Sequence, residues 1–361
     1  MGYLSAHEGT GCNRRAMLGC HSRAASPSGP RQNRLRAHIG WKAGLATPNH
    51  PPFWQAMPSG PKRPAFIAGM ALGRSLPYTA SPCVPFEDRE GETNGSRLRR
   101  GCSLPTAVIS DMHGNATALR AVLADIEGRG VDRVVCLGDI VGYGPEPLAC
   151  VDLIREKCAW SLMGNHDFAV LYEPTNFNPM AASAAYWTRE QFDAEPDEAK
   201  RTERYGFLGR LRVRVADADS PLKSPLLAVH GSPRRPINEY IFDKDVRDAP
   251  EKLDAIFERF EGACVVGHTH VPGVFTDEPD FYPIDEIGDG GFKLRDDEKV
   301  VINVGSVGQP RDGDPRACYA LLHDDRVEFY RVEYDIQDTA NKIKAITELD
   351  DYLGDRLFSG S

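Results

Sequence analysis

Residues 103–361 are predicted to form an α/β domain with parallel strand pairing, on three observations. Short apolar runs rich in β-formers recur, each followed by a polar cluster containing Gly and then by a segment of helical periodicity. Ionisable residues collect where those apolar runs stop, the place where sheets with parallel strands build their sites. The last two apolar runs alternate instead, as antiparallel strands do.

The elements follow in order. "TAVIS" runs into "DMHGN", and "ATALRAVLADIEGRG" carries Ala118, Leu119, Val122, Leu123 and Ile126 on one helical face. "RVVCL" runs into "GDIVGYGPEP" and the helical "LACVDLIREKC", and "AWSLM" leads into "GNHDF". "LLAVH" ends on His230 before "GSP", and "ACVVGHTH" ends on His268 and His270. "KVVINVGSVGQP", "ACYALL" and "RVEFYRVEY" read as the later strands, and a closing helix is expected over about residues 336–349. No solenoid repeat appears, and about 260 ordered residues are read as one large domain.

Residues 1–102 are a different material. Residues 1–100 hold 14 Lys+Arg against 5 Asp+Glu, whereas residues 101–361 hold 29 against 47, a net charge of about −18. The basic segment is rich in Gly, Pro, Ser and Ala and lacks a sustained apolar period, so it is expected to be disordered. An organelle transit peptide, a nucleic-acid-binding tail and an upstream stretch without selected function are its three readings. No apolar run of about 18 residues suggests a membrane span. The nine Cys are scattered without a CxxC pair, which argues against a disulfide framework or a thiolate zinc site and for a cytoplasmic protein.

The strand ends carry Asp111 and His113, Asp139, Asn165, His166 and Asp167, His230, and His268 and His270. Taken singly, "DMH" and "GD" are ordinary loop starts, and "GHTH" alone says little more. Together they gather nitrogen and oxygen donors without a thiolate, a set suited to divalent first-row metals. A single catalytic zinc needs about three protein ligands, so this set points to two metals sharing a carboxylate. Asp139, alone after an apolar strand and before a Gly-rich turn, is the expected bridge, using both oxygens.

"SDMHGN", "GDIVGYG", "GNHD", "VHGSP" and "GHTH" stand in the order of the D-x-H, G-D, G-N-H-D/E, lone-H and G-H-x-H pattern, across about residues 105–305. The set resembles the calcineurin-like metallophosphoesterase superfamily. The wider "GDIVGYGPEP", "HGSPRRPINEY" and "NVGSVGQPRDGDPRACYA" resemble a bacterial branch described as diadenosine tetraphosphatase-like. The resemblance implies a four-layer αββα sandwich of two mixed sheets. It implies that Asp111, His113, Asp139 and His270 hold one divalent ion, and Asp139, Asn165, His230 and His268 the other. Manganese is the ion expected, with iron, zinc or nickel as alternatives. His166 matches the family's non-ligand histidine, expected to protonate the leaving oxygen or to stabilise charge. Asp167 is read either as the group that orients that imidazole or as a cap on the following helix.

A phosphate ester resists attack because it is anionic, so its hydrolysis depends mainly on neutralising charge and on positioning. Two cations do this and lower the pKa of a water, inverting the field of an acidic body. For phosphate contacts the candidates are Asn115 and the guanidinium forks of Arg234 and Arg235, with Arg311 behind them. Walls above the metals are expected from residues 277–299 and 171–192, where Tyr172, Phe177, Tyr186 and Trp187 are candidates to stack on a base. The expected partner is a small phosphorylated substrate, a nucleotide among the options, and neither a membrane nor a nucleic acid. A dinucleoside polyphosphate is favoured over a phosphodiester, a phosphomonoester or a phosphoprotein. The alternative class is a binding scaffold on the same fold without catalysis.

Overall fold

The computed structural model describes residues 104–361. The expectations for residues 1–102 fall outside the described residues.

β1 (Thr106–Ile109), α1 (Ala116–Gly128), β2 (Arg133–Cys136), α2 (Pro147–Lys157) and β3 (Trp160–Ser161) open the fold as strands alternating with helices. α3 (Asn165–Leu171), α4 (Pro179–Asp193) and α5 (Glu198–Leu208) follow, then β4 (Arg214–Ala216) and β5 (Leu226–Val229). α6 (Asp245–Asp248) and α7 (Pro250–Phe257) precede β6 (Ala263–Val266), β7 (Gly273–Thr276), β8 (Asp280–Pro283), α8 (Ile284–Ile287) and β9 (Phe292–Lys293). β10 (Val300–Asn303), β11 (Ala317–Leu322), β12 (Arg326–Val332), α9 (Ile336–Lys344), α10 (Tyr352–Asp355) and a 3-10 turn (Arg356–Phe358) complete the chain.

The strands form two six-stranded sheets, in the orders β3-β2-β1-β11-β12-β9 and β4-β5-β6-β10-β7-β8. β1, β2 and β3 run parallel, as do β5, β6 and β10, while the remaining pairs are antiparallel, so both sheets are mixed. Successive side chains of a strand point to opposite faces, and here both faces are dry. Ala107 and Ile109 pack under α1 and α2, whereas Val108 packs between the sheets with Val135, Ala228, Val265 and Ile302. Cys264 and Val266 face outward onto Leu253, Ile256 and Phe257 of α7. Apolar residues on both faces explain why these strands read as continuous hydrophobic runs.

The helices start at recognisable caps. Asn115 accepts from the Ala118 amide at the head of α1, Asn178 from Ala181 on α4, and Asp197 from Ala199 and Lys200 on α5. Pro147 and Pro179 occupy first-turn positions of α2 and α4, where a missing N–H does no harm.

Two expectations change here. The closing helix ends at Lys344, because the chain turns to bring Leu349, Leu353 and Leu357 onto Trp187 of α4. Trp187 is therefore a core residue. The segment 277–299 forms no wall of the site: β8 pairs with β7 and β9 with β12, so it links the outer edges of the two sheets. Its Ile287, Phe292 and Leu294 pack on the inter-sheet core, which draws the segment away from the strand ends.

Candidate metal centre

The residues singled out at the strand ends converge. Asp111 and His113 follow β1, Asp139 follows β2, Asn165 and His166 open α3 after β3, His230 follows β5, and His268 and His270 follow β6. Asp111, His113, Asp139, His268 and His270 all have left-handed backbones, with φ between 46° and 67°. Non-glycine residues hold that conformation only when their surroundings enforce it. The enforcement is visible: the Asp111 amide donates to Gly138 O at 3.0 Å, His113 to Asp139 O at 2.9 Å, and His268 to Asp111 Oδ2 at 3.0 Å. Two glycines allow the loops this close. A Cβ at Gly164 would collide with Asp139 Oδ1, and one at Gly267 with Ser110 Oγ and Asp111 Oδ2.

Donor atoms fall into three overlapping groups. Asp111, His113 and His270 bring ligand atoms within 4.8 Å of one another, and so do Asp139, His230 and His268; His113, Asp139 and His166 form the third, linking the first two sets through residues they already contain. Asp139 Oδ2 stands between the sets, 3.6 Å from His113 Nε2 and 3.4 Å from His230 Nε2. Its Oδ1 accepts from the His166 amide at 2.8 Å. Oδ2 is thus the oxygen that faces both sets, while Oδ1 also serves the backbone. Asn165 Oδ1 lies 3.3 Å from His230 Nε2 and adds an oxygen donor to the second set.

Imidazole tautomers test whether this donor set fits a cation. Nδ1 of His113 faces Val141 O at 3.3 Å, that of His230 faces Leu137 O at 3.0 Å, and that of His270 faces Gln309 O at 2.5 Å. Carbonyl oxygens only accept, so each Nδ1 carries the proton, and in a neutral ring Nε2 is a bare lone pair aimed inward. His113 Nε2 and His270 Nε2 are 3.1 Å apart. Two lone pairs at that distance repel unless a cation lies between or beside them. Asp111 Oδ1 and His268 Nε2 are also buried with no hydrogen-bond partner. The residues present fit a divalent cation in each set.

The electrostatics agree. Burial opposes ionisation of Asp111 and Asp139, yet the neighbouring histidines hold both carboxyls well below the ordinary range. Burial keeps His113 and His270 low and takes His268 down to about 3. His230 is the exception: Asp139 outweighs burial and pushes it up to about 9.

His166 lies 4.8 Å from the His113 ring, packed by Tyr143 at 4.4 Å and Phe177 at 4.6 Å. Its Nδ1 is buried without a partner. Asp167 does not orient it. Asp167 Oδ1 accepts from the amides of Ile140 and Val141, and Oδ2 from Gly164, so this carboxylate caps α3 and ties it to the loop after β2. The catalytic reading of Asp167 is replaced by a structural one, because three backbone N–H groups have no other acceptor there.

A cavity of about 450 Å³ opens beside the second set. Tyr143, Phe168, Phe177 and Tyr240 line it, with amides from Asn165, Asn176, Asn178 and Asn238. Tyr240 stacks on the His268 ring at 3.9 Å and 15°. Of the aromatics named from sequence, only Phe177 lines the cavity; Tyr172 and Tyr186 are exposed. None of the four phosphate candidates, Asn115, Arg234, Arg235 and Arg311, lines it either. Asn115 is spent on the α1 cap, Thr339 and Gly308 O. Arg234 makes a forked ion pair with Glu239. Arg235 is exposed, and its amide donates to Ser232 Oγ.

Two mixed sheets with a histidine and aspartate cluster at their strand ends define a metallophosphoesterase fold, and the chain belongs to the calcineurin-like phosphoesterase family. Residues 104–272 match that family. Uncharacterized protein MJ0912 of Methanocaldococcus jannaschii is 39% identical over 259 residues, 70% of this chain and 97% of its own length. The crystal structure of a metallophosphoesterase from Sphaerobacter thermophilus is similar at 39% identity, covering 72% of this chain and 100% of its own, with a TM-score of 0.58. Hypothetical protein PH1004 of Pyrococcus horikoshii OT3, at 20% identity, shares the fold over 72% of this chain and 99% of its own, with a TM-score of 0.57.

Proposed function

We propose that this chain is a dinuclear-metal-dependent phosphoesterase acting on a phosphorylated nucleoside, a dinucleoside polyphosphate first among them. The observation that carries the reading is Asp139 Oδ2, which faces both donor sets at once. In this reading Asp111, His113, Asp139 and His270 hold one ion, and Asp139, Asn165, His230 and His268 the other. Such a pair supplies neutralisation of the phosphoryl charge and an activated water. Donors without thiolates suit manganese, iron, zinc or nickel, and manganese is the ion we favour.

His166 is assigned to the reacting group. Burial and the nearby Arg311 charge outweigh the pull of Asp139 and hold its imidazole at about 4, so at neutral pH it is a neutral ring with one N–H to donate. That favours stabilisation of developing charge over delivery of a stored proton. The cavity supports the nucleoside part. Four aromatic side chains offer stacking faces, and four asparagines offer donors and acceptors for a neutral heterocycle or ribose. Glu173 is the charged side chain of a carboxylate or cationic residue on that wall, and no Lys or Arg lines it, so the wall suits the uncharged part of a substrate.

No described helix is long and apolar enough to cross a membrane. Free thiols at Cys136, Cys150, Cys158, Cys264 and Cys318 support a reducing compartment, the cytoplasm in this proposal. The test is a substrate panel on the full chain with Mn²⁺: diadenosine tetraphosphate, p-nitrophenyl phosphate, bis-p-nitrophenyl phosphate and a phosphopeptide. We expect the highest kcat/KM for the dinucleotide and loss of turnover on chelation. A higher value for the diester or the phosphopeptide refutes the substrate assignment. No turnover of any substrate at full metal content favours the binding scaffold.

A further inference from the structure

Arg311 lies against His270, far from it in sequence: its amide donates to His270 O at 3.2 Å. Among the described residues it has no carboxylate partner. Others with limited exposure have one, Arg204 with Asp152 and Glu195, Arg234 with Glu239 and Arg331 with Asp312, while Arg189 and Arg356 bond to backbone oxygens. Arg311 is half-buried; its Nη2 donates to Gln309 Oε1 at 2.6 Å, and its Nε is buried with no acceptor. A guanidinium held by a neutral amide, with donors left over, keeps its full charge for another anion.

Its position is rigid. Gln309 accepts from His270 Nδ1 through its backbone oxygen and holds Arg311 through its side chain. The Gln309 amide donates to Ser306 Oγ at 2.9 Å, and Ser306 Oγ donates to Asp111 O at 2.8 Å. Val307 and Gly308 donate to Ser110 O and Asp111 O at 2.9 Å each. The loop bearing Arg311 is thus bonded to both ligand loops of the first donor set. Gln309, which holds Arg311, lines a small pocket together with His113 and Tyr143, so Arg311 is tethered on the His113 and His270 side of the centre.

We propose that Arg311, held by Gln309, is the residue that clamps a phosphate group of the substrate on the His113 and His270 side of the centre. The identity of the anion rests on the phosphoesterase reading. The geometry divides the substrate: an uncharged, stackable part in the aromatic and amide cavity, and an anionic part at Arg311.

The test is equilibrium binding of inorganic phosphate to the Mn²⁺-loaded full chain by calorimetry, for the wild type, Arg311→Lys, Arg311→Gln and Gln309→Glu at equal metal content. Losing a charged hydrogen bond should weaken phosphate binding by on the order of tenfold to a hundredfold in Arg311→Gln, and less in Arg311→Lys. Gln309→Glu is the discriminating variant, because it keeps the arginine and gives it a carboxylate that competes with phosphate. A merely structural Arg311 would be held more firmly by that ion pair and phosphate affinity would not move. Phosphate Kd values within twofold of wild type in both Arg311→Gln and Gln309→Glu overturn the proposal. Arginine-dependent phosphate binding in a chain that hydrolyses no phosphoester would sustain it while refuting the phosphoesterase reading.

Discussion

Stripping metal from this protein should leave one site histidine protonated at neutral pH. Burial lowers the proton affinity of His230, but Asp139 Oδ2 at 3.4 Å outweighs it and raises the pKa from 6.5 to about 9. His166 and His268 stay near 4 and 3, and His113 and His270 are also lowered. Because Nδ1 already serves Leu137 O, the extra proton sits on Nε2, the atom a cation must use. Removing it at pH 7 costs about 3 kcal/mol, roughly a hundredfold in apparent metal affinity. That affinity should therefore rise about tenfold per pH unit and level off near pH 9. The linkage sign follows from a folded pKa above the unfolded one. In the metal-free chain His230 contributes roughly 3 kcal/mol of stability that is fully present below pH 6.5 and lost as pH rises through about 9. The assay is an NMR titration of ¹³Cε1-histidine in the metal-free chain, with His230→Asn to identify the signal. If every imidazole titrates below pH 7, or metal affinity is flat between pH 7 and 9, the electrostatic account of the centre is wrong.

Asp139→Asn should lose bound metal and turnover together, read by elemental analysis beside activity. His166→Ala should keep both metals and lower kcat by roughly 10²- to 10³-fold, the loss expected for one preorganised donor; equal metal loss in both variants would refute the division of roles. Gly164→Ala should abolish metal binding although the residue donates nothing, since its methyl meets Asp139 Oδ1 and the Asp139 backbone; full metal content in that variant would sink the steric argument. Asp167→Ala strips the acceptor from three buried backbone amides and should lower the thermal midpoint by several degrees or more, about 3 kcal/mol or above, which calorimetry will read.

The α/β class, the order of the main strands and the convergence of Asp111, His113, Asp139, Asn165, His166, His230, His268 and His270 were legible, because strand ends in sheets with parallel strands must gather on one edge. The division of strands between two sheets was not legible from periodicity. β1 and β6 are apolar on both faces, so alternation is erased even though each face packs in a different core. The cavity wall was hidden for another reason. Tyr143 reaches it from a loop turned by a left-handed backbone at φ 59°, and Tyr240 from a turn distant in sequence, so neither spacing nor periodicity marks them.

Three residues singled out for function share one physical circumstance. Asn115, Asp167 and Arg234 are polar groups next to site residues, and each is consumed by the loop that holds its neighbour. Loops forced into left-handed turns leave backbone N–H groups without ladder partners, and buried N–H groups must find acceptors. A site built from such turns therefore needs nearly as many polar side chains for its own backbone as it offers to a ligand. In "GNHDF" the two kinds alternate: Asn165 Oδ1 faces the centre, His166 presents its ring there while its amide serves Asp139, and Asp167 serves three amides. Arg311 shows the converse. It is half-buried beside the centre, held by a neutral amide with a buried Nε left over, and that spare donor, more than its proximity to a motif, marks a group available to a substrate.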